Sequence, residues 1–285
     1  MTAETTTTWG SRKLSAVYFL GLAVLAAVGL LYWGRALRRY VRESLMTRVT
    51  SAHYEILSPP GTLSQQAMAE FAARREPLFA ALNKKLGGAD SNTVIRVIFD
   101  PAYFASPAYE SNPPLYSVTK TTIRTKPTGN TPQLPSSADA EALLAAAWGQ
   151  PGNAQIARWT AIWLLGEWRG AEIGMAAAGV EQRLGHKKVA ALLLDPGNEI
   201  AAPDDRSLLG AAWISEIGEF GGEPAVRRIY TAKMPHPNVA EVAKDLGTIP
   251  MELDRRWQLW IYAYLAGMPA MPSDSAMPMD MPGGR

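Results

Sequence analysis

The chain has 285 residues, 47% of them hydrophobic, a formal net charge of +2 and no cysteine. That composition excludes a disordered, collagenous or disulfide-stapled chain, and the missing thiols exclude a thiolate metal site and a cysteine nucleophile. Lys and Arg exceed Asp and Glu by only 28 to 26, so a pI near 8.8 does not point to nucleic acid.

Residues 1–13 read as a polar tail (TAETTTT) that ends at Arg12 and Lys13. Leu14–Gly34, LSAVYFLGLAVLAAVGLLYWG, carries no charge over 21 residues. As a helix it spans about 30 Å, the thickness of a hydrocarbon core, and the pattern predicts a transmembrane helix over 14–34. Arg12 and Lys13 precede it, Arg35, Arg38, Arg39 and Arg42 follow it, and Tyr32 and Trp33 sit where an interfacial aromatic belt belongs. A cleavable signal peptide has a shorter apolar core ending in small residues, and LLYWGRALRRY is a poor cleavage site. Residues 35–50 continue as a basic amphipathic linker helix suited to anionic headgroups.

A strand and helix unit is expected over 51–135. His53–Leu57 (HYEIL) reads as a strand ended by SPPG. A helix follows, capped by Thr62 or Ser64 and ended by Gly87, with Pro77 as a possible kink. Val94–Asp100 (VIRVIFD) is a second strand, and the Pro-, Ser- and Thr-rich stretch 101–135 has room for one or two short strands around LYSVTKTTIRT. From 136 to 266 the segments read as successive helices, NAQIARWTAIWLLGEW among them, several ending at Gly, with Gly221-Gly222 as a terminator and Asp204-Asp205-Arg206 as an N-cap region. Residues 267–285 form a Met- and Pro-rich tail with too little apolar bulk to fold alone. Thioether sulfur suits Cu(I), which makes Met277, Met279 and Met281 candidate ligands beside the plain reading of low complexity.

The segment ARWTAIWLL places Trp159 and Trp163 at i and i+4, on one helical face. Ordinary core packing accounts for such a pair. A second reading comes from the order of the pieces. HYEIL, a long helix, VIRVIFDPAYF, and a helical run closing in AAWISEIGEFGGEPAVRRIYTA and VAEVAKDLGTIPMELDRRWQLWI resemble the peptidase MA-like branch of the gluzincin zinc metallopeptidases, over roughly residues 51–265. The expected fold is α+β, from strands and one helix first and helices afterwards: an N-terminal transmembrane helix, a small β-sheet with one long helix, then a mainly helical bundle that the resemblance makes gluzincin-like. The catalytic H-E-x-x-H is absent, since His53, His186 and His236 are the only histidines and none lies near another. Laid on the most similar helix, the motif falls on Trp159 and Trp163 in place of the two His, Thr160 in place of the base, and Ala178 in place of the third ligand. The resemblance thus implies a pseudo-peptidase, with no cofactor and indoles filling the former zinc site.

Glu167, Glu172 and Glu181 lie near the same helices and read as surface charges. No G-x-S-x-G, G-x-G-x-x-G or P-loop is present. The arginines after the apolar span favour a cytoplasmic domain, whereas the resemblance implies export, and long domains translocate against such a bias. The expectation is a bacterial single-pass protein of the cytoplasmic membrane with an extracytoplasmic domain. It serves as a binding or scaffolding module whose partners are the lipid membrane and another envelope protein, not nucleic acid. The alternatives are a hydrolase using an unrecognised site in the same cleft, or copper handling through the tail.

Overall fold

The computed structural model describes residues 40–88, 92–100, 116–129, 131–184, 202–233 and 239–267, with scattered helical positions between 21 and 38. Five short strands form one sheet: β1 (Thr47–Thr50), β2 (Tyr54–Ser58), β3 (Ile95–Phe99), β4 (Tyr116–Thr119) and β5 (Thr122–Thr125), in the order β1-β2-β3-β5-β4. β2, β3 and β5 run parallel, and β1 and β4 close the two edges antiparallel. The parallel centre explains why IRVIF is almost continuously apolar, because both faces are covered. Ile95, Val97 and Phe99 join the main core, and Ile98 packs with Leu57 and Met46 on the opposite face.

The crossover from β2 to β3 is α1 (Gln65–Lys85). The Ser64 hydroxyl caps it by accepting from the Ala67 N–H at 3.1 Å, and Gly87 and Gly88 leave it at positive φ. Pro77 lies inside this helix. After the sheet come α2 (Ser136–Trp148), α3 (Ala154–Leu165), α4 (Ile173–Leu184), α5 (Pro203–Thr231), α6 (Val239–Asp245) and α7 (Pro250–Gly267). One buried apolar cluster runs from Tyr54 on β2 to Ile261 on α7, joining sheet and helices.

Three expectations are corrected. The fold is mixed α/β with a small sheet, but among the described residues no helix is long and apolar enough to cross a membrane. The helix expected over 14–34 therefore drops out of the fold class. An uncharged run of 21 residues satisfies the composition of a span, but composition alone does not make a helix. The linker helix expected over 35–50 stops earlier. Helix gives way after Ser44, and Thr47–Thr50 pairs with β2 as an edge strand, since TRVT alternates and is rich in β-branched residues. Finally, the helix carrying Trp159 does not run on to Trp168. Gly166 ends it at φ +83, and a tight hairpin follows, β6 (Glu167–Trp168) and β7 (Ala171–Glu172), turning at Arg169 and Gly170 with positive φ at both.

Candidate functional site

The side chain of Asn153 starts α3 by accepting from the backbone N–H groups of Gln155 at 2.8 Å and Ile156 at 3.2 Å. The helix then buries seven of its twelve residues. Trp159 and Trp163 both turn toward α5, where each meets a glycine. A Cβ built on Gly210 falls 2.2 Å from the Trp159 indole, and one on Gly218 falls 3.3 Å from Trp163 Nε1. Trp159 is 1% exposed and edge-on to Trp213, with centroids 6.4 Å apart. Thr160 is fully buried, and its hydroxyl donates to the Ile156 carbonyl at 2.8 Å. Ala178 is buried on α4. None of these four side chains offers a metal a free donor, so the residues do not fit zinc. Among the described residues no group of three or more His, Asp or Glu is placed to hold a metal ion.

Trp163 behaves differently from Trp159. It is half-buried, 6.3 Å from the Trp148 ring, and it lines a cleft of about 320 Å³. The hairpin brings Glu172 to this cleft, α5 brings Ser215 and Glu219, and α7 brings Trp260 and Tyr264. Trp260 and Tyr264 stand one helical turn apart with centroids at 4.7 Å and planes at 55°, forming a corner of two rings. Gly174 makes room for that corner, since a Cβ there falls 2.2 Å from Tyr264 Cζ. The Tyr264 hydroxyl donates to Glu172 Oε1 at 2.9 Å. Burial, that hydrogen bond and the charges of Glu172 and Glu219 push the phenol up to about 12. The buried Trp260 Nε1 has no hydrogen-bond partner. On α5, Glu216 is 1% exposed with Oε2 unpartnered, and burial pushes its carboxyl up to about 8.

A second polar centre lies where β4 meets α2. Glu141 Oε1 accepts from the Tyr116 hydroxyl at 2.5 Å, Tyr116 lies 3.0 Å from Ser137 Oγ, and the Arg158 guanidinium stands 5.2 Å from the Tyr116 ring centre. Burial pushes Glu141 up to about 7, against the opposing pull of Tyr116 and Arg158. The Tyr230 hydroxyl is buried without a partner, and its phenol is raised by burial and by the charge of Glu141. Neither Glu141 nor Glu216 stood out in the sequence. The available signal was a single acid in an otherwise apolar helix, as in AEALLAAAW.

The remaining candidates scatter. Glu167 and Glu172 are exposed, as expected of surface charges, but Glu181 is 1% exposed, with Oε1 unpartnered and its carboxyl pushed up to about 7 by burial. His53 stacks on Phe79 at 4.0 Å and holds Glu76 Oε2 at 2.6 Å through Nδ1. Asp204 and Asp205 occupy the first turn of α5, where they meet Arg169 and Arg183 rather than capping the helix. Of the proposed headgroup contacts, Trp33 and Arg38 are exposed, whereas Arg42 is held by Asp100 at 2.7 Å. Arg12, Lys13, Tyr32, Arg35, Arg39, His186, His236, Met277, Met279 and Met281 lie outside the described residues.

No family model, curated protein or solved structure matches the chain.

Proposed function

We propose that the protein is a non-catalytic binding module, a pseudo-peptidase-like domain that engages its partner through the cleft beside Trp163. The observation that carries this reading is the sealed state of α3. Trp159 is packed into Gly210, and Thr160 spends its hydroxyl on its own helix. The positions that the gluzincin resemblance assigns to a zinc ligand and a general base thus supply packing in place of coordination. Indole burial on this scale stabilises the helix pair, whereas an emptied ligand site would leave a cavity costing a kcal/mol or more, roughly.

The cleft also bears on the second reading, a hydrolase. It is open beside Trp163 and carries Glu172, Ser215 and Glu219. The Ser215 hydroxyl, however, donates to the Ala211 carbonyl at 3.0 Å, and among the described residues no histidine lines the cleft to activate it. Binding is the chemistry these groups support better.

The test is a metal and activity measurement on the full chain. After incubation with Zn²⁺ and desalting, the protein is expected to retain well under one zinc per chain and to leave an unstructured casein substrate intact. Stoichiometric zinc accompanied by peptide hydrolysis overturns the reading.

A further inference from the structure

We propose that the cleft between α3, α5 and α7 is a receptor for an alkylammonium group, with a quaternary ammonium as the best-fitting head. The inference rests on the binding-module reading and names the ligand class for that site. Three aromatic side chains and two carboxylates border it: Trp163 from α3, Tyr264 from α7 with Trp260 buried behind it, Glu172 from the hairpin and Glu219 from α5. An aromatic corner attracts a cation through the ring quadrupole, and nearby carboxylates add charge without demanding a directed hydrogen bond. A volume of about 320 Å³ admits a compact head group with its stem leading out to solvent.

The competing cations are already engaged. Lys85 approaches the Gly166 side of the cleft, but its ammonium donates to the Leu164 and Leu165 carbonyls, at 2.9 Å each. Arg256 is held by Glu252 at 3.1 Å and lies over the Phe220 ring. Glu219 has no ion-pair partner recorded among the described residues, and Glu172 accepts only a neutral phenol. Lys85 keeps its charge, but two carboxylates against one ammonium leave the cleft net acidic, which disfavours anions. The geometry is built rather than incidental: Gly174 and Gly218 give the Tyr264 and Trp163 rings the space they occupy.

The test compares choline with its neutral isostere 3,3-dimethylbutan-1-ol, by isothermal titration and saturation-transfer NMR on the full chain. Choline is expected to bind saturably, and the isostere at least tenfold more weakly. The exposed pair Glu172→Gln plus Glu219→Gln is expected to weaken choline at least tenfold without altering the fold. Trp163→Leu is expected to abolish binding. Absence of choline binding overturns the proposal, and so does equal binding of the isostere. In the latter case, loss of both ligands in Trp163→Leu keeps the cleft as a binding site and removes only the cation assignment. Zinc content, measured separately, decides the underlying reading.

Discussion

Gly210 carries no side chain because the Trp159 indole occupies the place a methyl would need. The overlap at 2.2 Å involves rigid ring atoms in the core, not the far end of a flexible chain. Trp159 also meets Trp213, on the same helix as Gly210, edge-on, and both rings are buried, so neither has room to retreat. Overpacking of this kind costs about 1–3 kcal/mol. Gly210→Ala is therefore expected to lower the unfolding free energy by that amount, read as a lower urea midpoint with an unchanged m-value. A wild-type midpoint would show that α5 slides freely relative to α3. The neighbouring pair is the control: at Gly218 the approach to Trp163 is 3.3 Å and the indole borders an open cleft, so Gly218→Ala is expected to cost less. Two tryptophans identical in spacing thus differ in role, and what separates them is the element that passes beside each one.

At the scale of elements, α5 is one helix broken by one residue. Gly222 adopts φ +66 and ψ −178, a combination open to glycine and strained for every other residue. Pro224 follows two positions later and suits the start of the second segment. Gly222→Ala is expected to destabilise by about 1–3 kcal/mol, read by thermal melting, whereas Glu223→Ala beside it is expected to be near neutral. Equal effects at the two positions would remove the backbone explanation. This break was legible in the sequence as Gly221-Gly222, as were the Ser64 cap, the Gly87 stop, the VIRVIF strand and the helical second half, because each is written in local propensity or apolar period. β1 was not legible: TRVT is four residues inside an arginine-rich run whose longer pattern reads as helix. The β6–β7 hairpin has two-residue strands, too short for any period to register. The cleft was only half legible. The i, i+4 spacing placed both indoles on one face, but which of them meets solvent depends on where α7 delivers Trp260 and Tyr264, some hundred residues away in the chain.

At the scale of the whole molecule, sheet and helices are tied by buried polar groups as well as by the core. Arg75 of α1 donates to Asp139 Oδ2 of α2 at 2.8 Å, and Tyr54 of β2 donates to Oδ1 of the same carboxylate, also at 2.8 Å. Three other acids, Glu141, Glu181 and Glu216, have no such cation within hydrogen-bond reach among the described residues. Burial pushes Glu141 and Glu181 up to about 7 and Glu216 up to about 8, from an ordinary carboxyl value of 4.5. The folded chain therefore holds protons that the unfolded chain releases near 4.5. The stability these groups contribute is full below that pH and is lost as the pH rises toward 8. Glu252 has the opposite sign, being held down to about 2 by Arg255 and Arg256, but its contribution is lost only on strong acidification. The unfolding free energy is accordingly expected to fall between pH 5 and pH 8.5. Glu216→Gln keeps the shape and removes the ionisation, so it is expected to be near neutral at pH 5 and to stabilise by roughly 4 kcal/mol at pH 8.5, the size implied by a carboxyl raised from 4.5 to about 8. Urea unfolding of both proteins across that range checks the sign. A wild-type stability that stays flat or rises toward pH 8.5 would mean that these carboxyls meet water or a cation in the folded chain.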